Sequence, residues 1–226
     1  MINKNAQKPI RIVPPMQEEQ ERSDRTLADW LDQEETIENL TFEKSKEEAI
    51  NISYKSFKNC TFHHLTFSEC QFRSAQFTDV RFEHCDLSNI SFAESSLYRV
   101  EFVSCKLLGT NLSETTLNHI LINDCHASYI NLSAAKMNQI RFAASNFRNG
   151  SFNDCRLASV AFDSCDLAEA DFSHTPLRGI DLRTSRLSGI ILNVSDLRGA
   201  IITSLQAMDL LPLLGVIIKD RISTSD

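Results

Sequence analysis

The sequence of 226 residues predicts an all-β solenoid closed by a short C-terminal helix. Three observations lead there. In "TFHHLTFSECQFRSAQFTDVRFEHC" phenylalanine stands at 62, 67, 72, 77 and 82, a spacing of five that neither a helix repeat near 3.6 nor a strand repeat of 2 produces. Carried along the chain, that register gives 30 consecutive positions from 57 to 202, filled by 13 Phe, 13 Leu, Ile122, Ile202, Met137 and Ala127, none polar. Two residues earlier in each unit, at the 29 positions from 60 to 200, stand mostly small residues and no charge, including all seven cysteines.

Each unit of five therefore buries one large and one small side chain and exposes three. A straight strand would send every fifth residue to alternating faces, so the chain must turn once per unit and stack coil on coil at about 4.8 Å. With only 6 glycines in the chain, the turns are expected to use ordinary backbone conformations. The cysteines at 60, 70, 85, 105, 125, 155 and 165 form no CxxC pair and no zinc-finger spacing. They read as small buried residues, with Cys85, Cys105 and Cys125 as stacked neighbours and an oxidised pair among them the alternative.

The elements follow in order. Residues 1–35 read as a disordered or loosely packed tail, because "VPP" and "QEEQERSDR" carry no apolar periodicity. Within it Thr26 can cap a short helix, "LADWLDQEE", with Leu27, Trp30 and Leu31 on one face, either packing on the first coil or docking a partner. Ile37 and Phe42 enter the register, Glu47 breaks it and Ile52 resumes it, so the solenoid spans 36–203. Residues 204–226 read as a helix followed by a capping or dimerisation segment. Ser204 is the expected N-cap, Leu205, Met208, Leu210 and Leu211 give an apolar stripe, Pro212 ends the helix early and Gly215 is its stop. The run "LLPLLGVII" is more apolar than one small lid requires, which points to contact with a second copy.

Charge narrows the function classes. Residues 1–52 hold 12 acids and 7 bases, whereas residues 53–203 hold 15 and 14. The near-neutral solenoid lacks the positive surplus that direct nucleic-acid binding needs. No apolar run reaches membrane-spanning length and the first twenty residues lack the apolar core of a secretory signal, so no membrane association and a cytoplasmic location are expected. No nucleophile elbow, phosphate-binding glycine loop or HExxH occurs, so neither catalysis nor a cofactor is expected. His64 and His84, twenty residues apart beside Glu83, read as a surface ladder rather than a metal site.

The units "CDLSN", "TNLSE", "INLSA", "CDLAE", "ADFSH", "IDLRT" and "SDLRG" resemble the pentapeptide-repeat family. The resemblance covers residues 37–203 and implies a right-handed quadrilateral β-helix with four units per coil, about 7.5 coils and roughly 36 Å of rod. Sorted into four columns on that geometry, one face exposes Glu94, Glu114, Asp154 and Asp171 against Arg73 alone. Another exposes Lys58, Arg99, Lys136, Arg156, Arg178 and Arg198 against Asp79 and Asp196. The ending "SDLRGAIITSLQAMDLLPLLGVII" is similar to that of the Qnr and MfpA type within the family, in which two rods join end to end. That resemblance implies a homodimer through Leu205, Met208, Leu211, Leu214, Val216 and Ile217. It also implies a non-enzymatic DNA mimic that binds DNA gyrase or topoisomerase IV through the acidic face, and the unbroken register matches the loopless type. The alternative is a structural adaptor or host-directed effector whose rod displays the N-terminal segment.

Overall fold

The computed structural model describes residues 10–217 and residue 219. The strands of one coil lie parallel on those of the next, twenty residues further along the chain. β5 (Ser56–His63) sits on β7 (Gln76–Glu83) with Phe57 opposite Phe77 and Phe62 opposite Phe82. The same offset carries the sheet through β8 (Ser96–Val103), β9 (Thr116–Asn123), β10 (Lys136–Ala143) and β11 (Arg156–Asp163). At its start β1 (Glu21–Arg22) pairs with β3 (Leu40–Glu43), and both β2 (Thr36–Glu38) and β3 pair with β5. β4 (Lys46–Glu48) pairs only with β6 (Thr66–Ser68). Two sides of the coil are thus continuous strand. The other two are single bridges at the same offset, such as Gln71 with Ser91 and Ser91 with Asn111, separated by β-turns. The result is the right-handed, four-sided β-helix of about seven coils.

The large residues of the register fill the axis. Phe62 stacks on Phe82 at 4.8 Å between ring centroids, Phe82 on Phe102 at 5.0 Å and Phe152 on Phe172 at 4.7 Å. Ring separations near the interstrand spacing follow directly from the coil repeat.

The corners correct the expectation of ordinary backbone. Every fifth residue from Asn39 to Gly179 has positive φ, and 27 of them are not glycine. A left-handed L-residue costs about 1–2 kcal/mol. Most corners recover a backbone hydrogen bond to the next coil, for example His64 N–H to the Glu83 carbonyl at 3.0 Å and Glu114 N–H to that of Ser133 at 2.9 Å, while Ser164 N–H donates to the Thr184 hydroxyl and His174 N–H to the Asp196 carboxylate. None of the 27 is Val, Ile or Thr, whose branched side chains fit this region worst. The pattern lapses where Thr184 and Val194 occupy the corner, and at Val194 the chain enters a 3-10 turn, Val194–Leu197.

Both ends are covered. α1 (Leu27–Gln33) starts at a capping box in which the Thr26 hydroxyl accepts from Asp29 N–H and Asp29 reaches back to Thr26 N–H. Its Leu27 and Leu31 join the core while Trp30 is partly buried, its Nε1–H donating to the Ser23 hydroxyl at 2.9 Å. At the other end α2 (Ser204–Leu210) is capped by Thr203, not Ser204, because only Thr203 has a glutamine, Gln206, at the third helical position to complete the box. Pro212 lies in a 3-10 turn, Leu211–Leu214, that follows α2 directly, and Gly215 ends it at φ 71°.

Part of the segment 1–35, expected to be disordered or loosely packed, has a defined course. Residues 1–9 lie outside the described residues, but residues 10–22 run along one edge of the rod. Gln20 donates to Asn59 at 3.0 Å, Met16 N–H to Asp79 at 2.8 Å, and Val13 N–H to His119 Nδ1 at 3.2 Å. The Gln139 side chain donates to the Arg11 carbonyl at 3.4 Å. These partners recur at the coil repeat, so an extended strap with no periodicity of its own finds acceptors and donors at regular intervals on the rod.

Candidate functional site

The inward register is filled by buried, mostly apolar side chains, and the charged and aromatic side chains that could meet a partner lie on the surface. The acidic face is partly as expected. Glu94, Glu114 and Asp154 occupy equivalent left-handed corners, with φ of 61°, 58° and 58°, and all three are exposed along one edge. Glu94 is hydrogen-bonded to Arg73, which holds its carboxyl below the usual carboxylate range. Glu114 makes no ion pair among the described residues, and Asp154 lies 3.4 Å from His174 Nδ1. Asp171 is not part of this edge. Its carboxylate accepts from Ser173 N–H at 2.8 Å and its backbone bridges Ile191, so it serves the turn.

The basic column is less free than its composition implies. Arg99 donates to both oxygens of Asp79 at 2.5 Å and lies over the Tyr98 ring at 4.3 Å. Burial alone would raise the Asp79 pKa, but Arg99 and Met16 N–H together hold it below the ordinary value. The strap thus docks on a preformed ion pair. An open cleft remains between strap and rod, lined by Ile10, Ile12, Pro14, Glu101, Leu121 and Arg141.

At the C-terminal end the apolar stripe faces outward. Gln206 and Leu210 form the lid, and the Gln206 amide donates to the Leu182 and Ser185 carbonyls, each at 2.7 Å. Leu205 is 78% exposed and Ile217 81%, with Met208, Leu214 and Val216 also exposed and Leu211 half-buried. The last coil leaves carbonyls that need donors, and a glutamine answers them where a leucine cannot.

The cysteines carry a role that apolarity alone does not describe. Cys85 Sγ–H donates to the Phe62 carbonyl at 3.2 Å and Cys155 to that of Leu132 at 3.0 Å. Hydroxyls at equivalent positions do the same: Ser95 to Phe72 at 2.7 Å, Thr110 to Leu87 at 2.9 Å and Thr175 to Phe152 at 2.6 Å. The mixture of Cys, Ser and Thr in the small register was the signal for a donor position. All seven thiols are buried and free, and burial pushes that of Cys60 up to about 11 and that of Cys155 up to about 12.

The two histidines of the ladder acquire a third. His64 and His84 stack at 4.8 Å between centroids, and the ring of His63 lies 4.3 Å from that of His64. The adjacent pair "HH" at 63–64 was the available signal. Partial desolvation and the neighbouring His63, His84 and Lys44 lower the His64 pKa.

Two family models match. One, for pentapeptide repeats in 8 copies, covers residues 56–93 and 165–203, and one for a pentapeptide repeat region covers 75–146, together more than half of the chain. The chain belongs to the pentapeptide-repeat family. No curated protein matches this repeat protein at sequence level. Among solved structures its rod is similar to QnrB1, a plasmid-mediated fluoroquinolone resistance protein, with TM-score 0.50 and 21% identity over 80% of this chain and 90% of that one. HetL, a pentapeptide repeat protein involved in heterocyst differentiation regulation from the cyanobacterium Nostoc sp. strain PCC 7120, gives TM-score 0.47 and 17% identity over 75% and 90%. These likenesses concern the fold. Among the described residues no helix is long and apolar enough to cross a membrane.

Proposed function

We propose that the protein is a non-enzymatic rod that acts in the cytoplasm by binding a type II topoisomerase, DNA gyrase or topoisomerase IV, in place of duplex DNA. The observation that carries this reading is the exposed acidic edge of Glu94, Glu114 and Asp154, set on a rigid lattice at the coil repeat. A fixed corner holds each carboxylate without the entropy cost of ordering a flexible loop. Duplex DNA carries about one charge per 1.7 Å, far denser than this edge, so the mimicry is confined to one face and works through position more than total charge. The QnrB1 likeness is in keeping with such a rod. Two copies joined by the outward stripe of Leu205, Met208, Leu211, Leu214, Val216 and Ile217 would double the length presented to the partner.

The docked strap disfavours the adaptor alternative over residues 10–22, because a segment held to the rod at Asn59, Asp79, His119 and Gln139 must detach before it can be displayed. The decisive experiment titrates gyrase supercoiling with the purified chain, with and without a fluoroquinolone. The expected result is dose-dependent inhibition or relief of drug poisoning, lost in Glu94→Lys/Glu114→Lys. No effect of the native chain, or full effect of that variant, overturns the reading.

A further inference from the structure

We infer that His63, His64 and His84 form a surface site for a divalent transition-metal ion of the imidazole-binding class, with Zn2+ as the representative ligand. One ring nitrogen from each of the three histidines lies within 4.8 Å of the other two. The arrangement is a product of the coil. In the β5–β7 register His63 lies opposite Glu83, and each is followed by a histidine at the left-handed corner, with φ of 58° at His64 and 53° at His84. Two coils therefore present a grid of three imidazoles and one carboxylate.

Tetrahedral zinc with nitrogen ligands at about 2.0–2.1 Å needs donor atoms roughly 3.4 Å apart. Imidazoles already within 4.8 Å reach that spacing by side-chain rotation, and His64 and His84 are exposed and free to rotate. Their backbone does not have to move, because each corner N–H is fixed to the next coil, His64 to Glu83 and His84 to Val103, both at 3.0 Å. Glu83 adds negative charge beside the rings and is oriented by Arg81 at 3.2 Å and 3.4 Å, an outer partner of the kind that tunes metal sites. Lys44, one coil earlier at the same corner, is the opposing charge. The ligand set fits imidazole-preferring ions and not calcium or magnesium, which require oxygen. The thiols do not compete, since all seven are buried. His119 is engaged by Val13 N–H and His174 lies beside Asp154, so neither has a second histidine as partner.

The test is calorimetric titration of Zn2+ into the untagged full chain at neutral pH. One saturating ion per chain is expected. Affinity should fall at least ~10-fold in His63→Gln and in His84→Gln, the loss that even an outer-shell partner can produce, and stay unchanged in His126→Gln. Glutamine is compatible with the corner, as Gln139 shows at φ 55°. In the native chain alone, Zn2+ should protect His63, His64 and His84 from diethyl pyrocarbonate and leave His126 reactive. Absence of saturable binding, native affinity in the His63→Gln and His84→Gln variants, or equal protection of His126 overturns the site.

Discussion

Position, more than residue type, decides what a side chain does in this rod. A threonine is favourable in the small inward register, where Thr175 donates to the Phe152 carbonyl at 2.6 Å and accepts from Cys155 N–H at 2.9 Å. At the corner Thr184 interrupts the left-handed run, which resumes only at glycines, Gly189 and Gly199. Thr175→Val keeps the shape and removes both hydrogen bonds, leaving buried backbone groups unpaired. A destabilisation of about 1–3 kcal/mol is expected, measured by urea denaturation, with Thr175→Ser close to the native value. Asp79 supplies the pH dependence. Its folded pKa is depressed, so its stabilisation is fully present above the unfolded value of about 3.9 and is lost as pH falls through the lower folded value. The protection factor of Met16 N–H, which donates to Asp79, should therefore fall on acidification below about pH 4. In Asp79→Asn the acid dependence should disappear.

At the scale of elements, α2 separates two duties that one amphipathic stripe seemed to combine. Gln206 and Leu210 close the last coil, while Leu205 and Met208 point away. Gln206→Leu should cost stability by about 1–3 kcal/mol, because the Leu182 and Ser185 carbonyls lose their donor. Leu205→Glu should leave thermal stability unchanged, since its side chain is exposed, and should convert the proposed dimer to monomer in sedimentation equilibrium. A variant of Leu205 that unfolds the protein would place the residue in the lid instead. The strands need less explanation. Their fivefold register and twenty-residue repeat leave one parallel pairing in which every Phe meets an apolar partner, and a slip by one residue would expose the whole column.

For the whole molecule, stability is close to a sum over neighbouring coils, and the strap is an addition to a rod already closed at both ends. Deleting residues 1–22 should leave the far-ultraviolet circular dichroism of the rod intact. The melting temperature should drop only slightly, at about 2–4 °C per kcal/mol for a chain of this size. If gyrase is the partner and the acidic edge its contact, the truncated chain should inhibit supercoiling as the full chain does. Loss of inhibition would move the contact to the strap.

The turning backbone and its core were legible in the sequence because the repeat forces the same environment on every fifth residue and thirty inward positions record it, whereas four units per coil and the length of the rod followed from the family resemblance. The corner conformation was not legible, because left-handed backbone leaves only a negative trace, the lack of β-branched residues at those positions. The surface was legible in part. Columns followed from the four-unit coil that the resemblance implied, which aligned Glu94, Glu114 and Asp154, but Asp171 is held in its own turn by Ser173 N–H and Arg99 was taken by Asp79. Such pairings depend on side-chain direction and on the coil above, which no spacing encodes. The strap and the closure of the last coil by Gln206 were decided only in three dimensions. Their partners lie up to 128 residues away, on a lattice of hydrogen-bonding groups that exists only once the rod has formed.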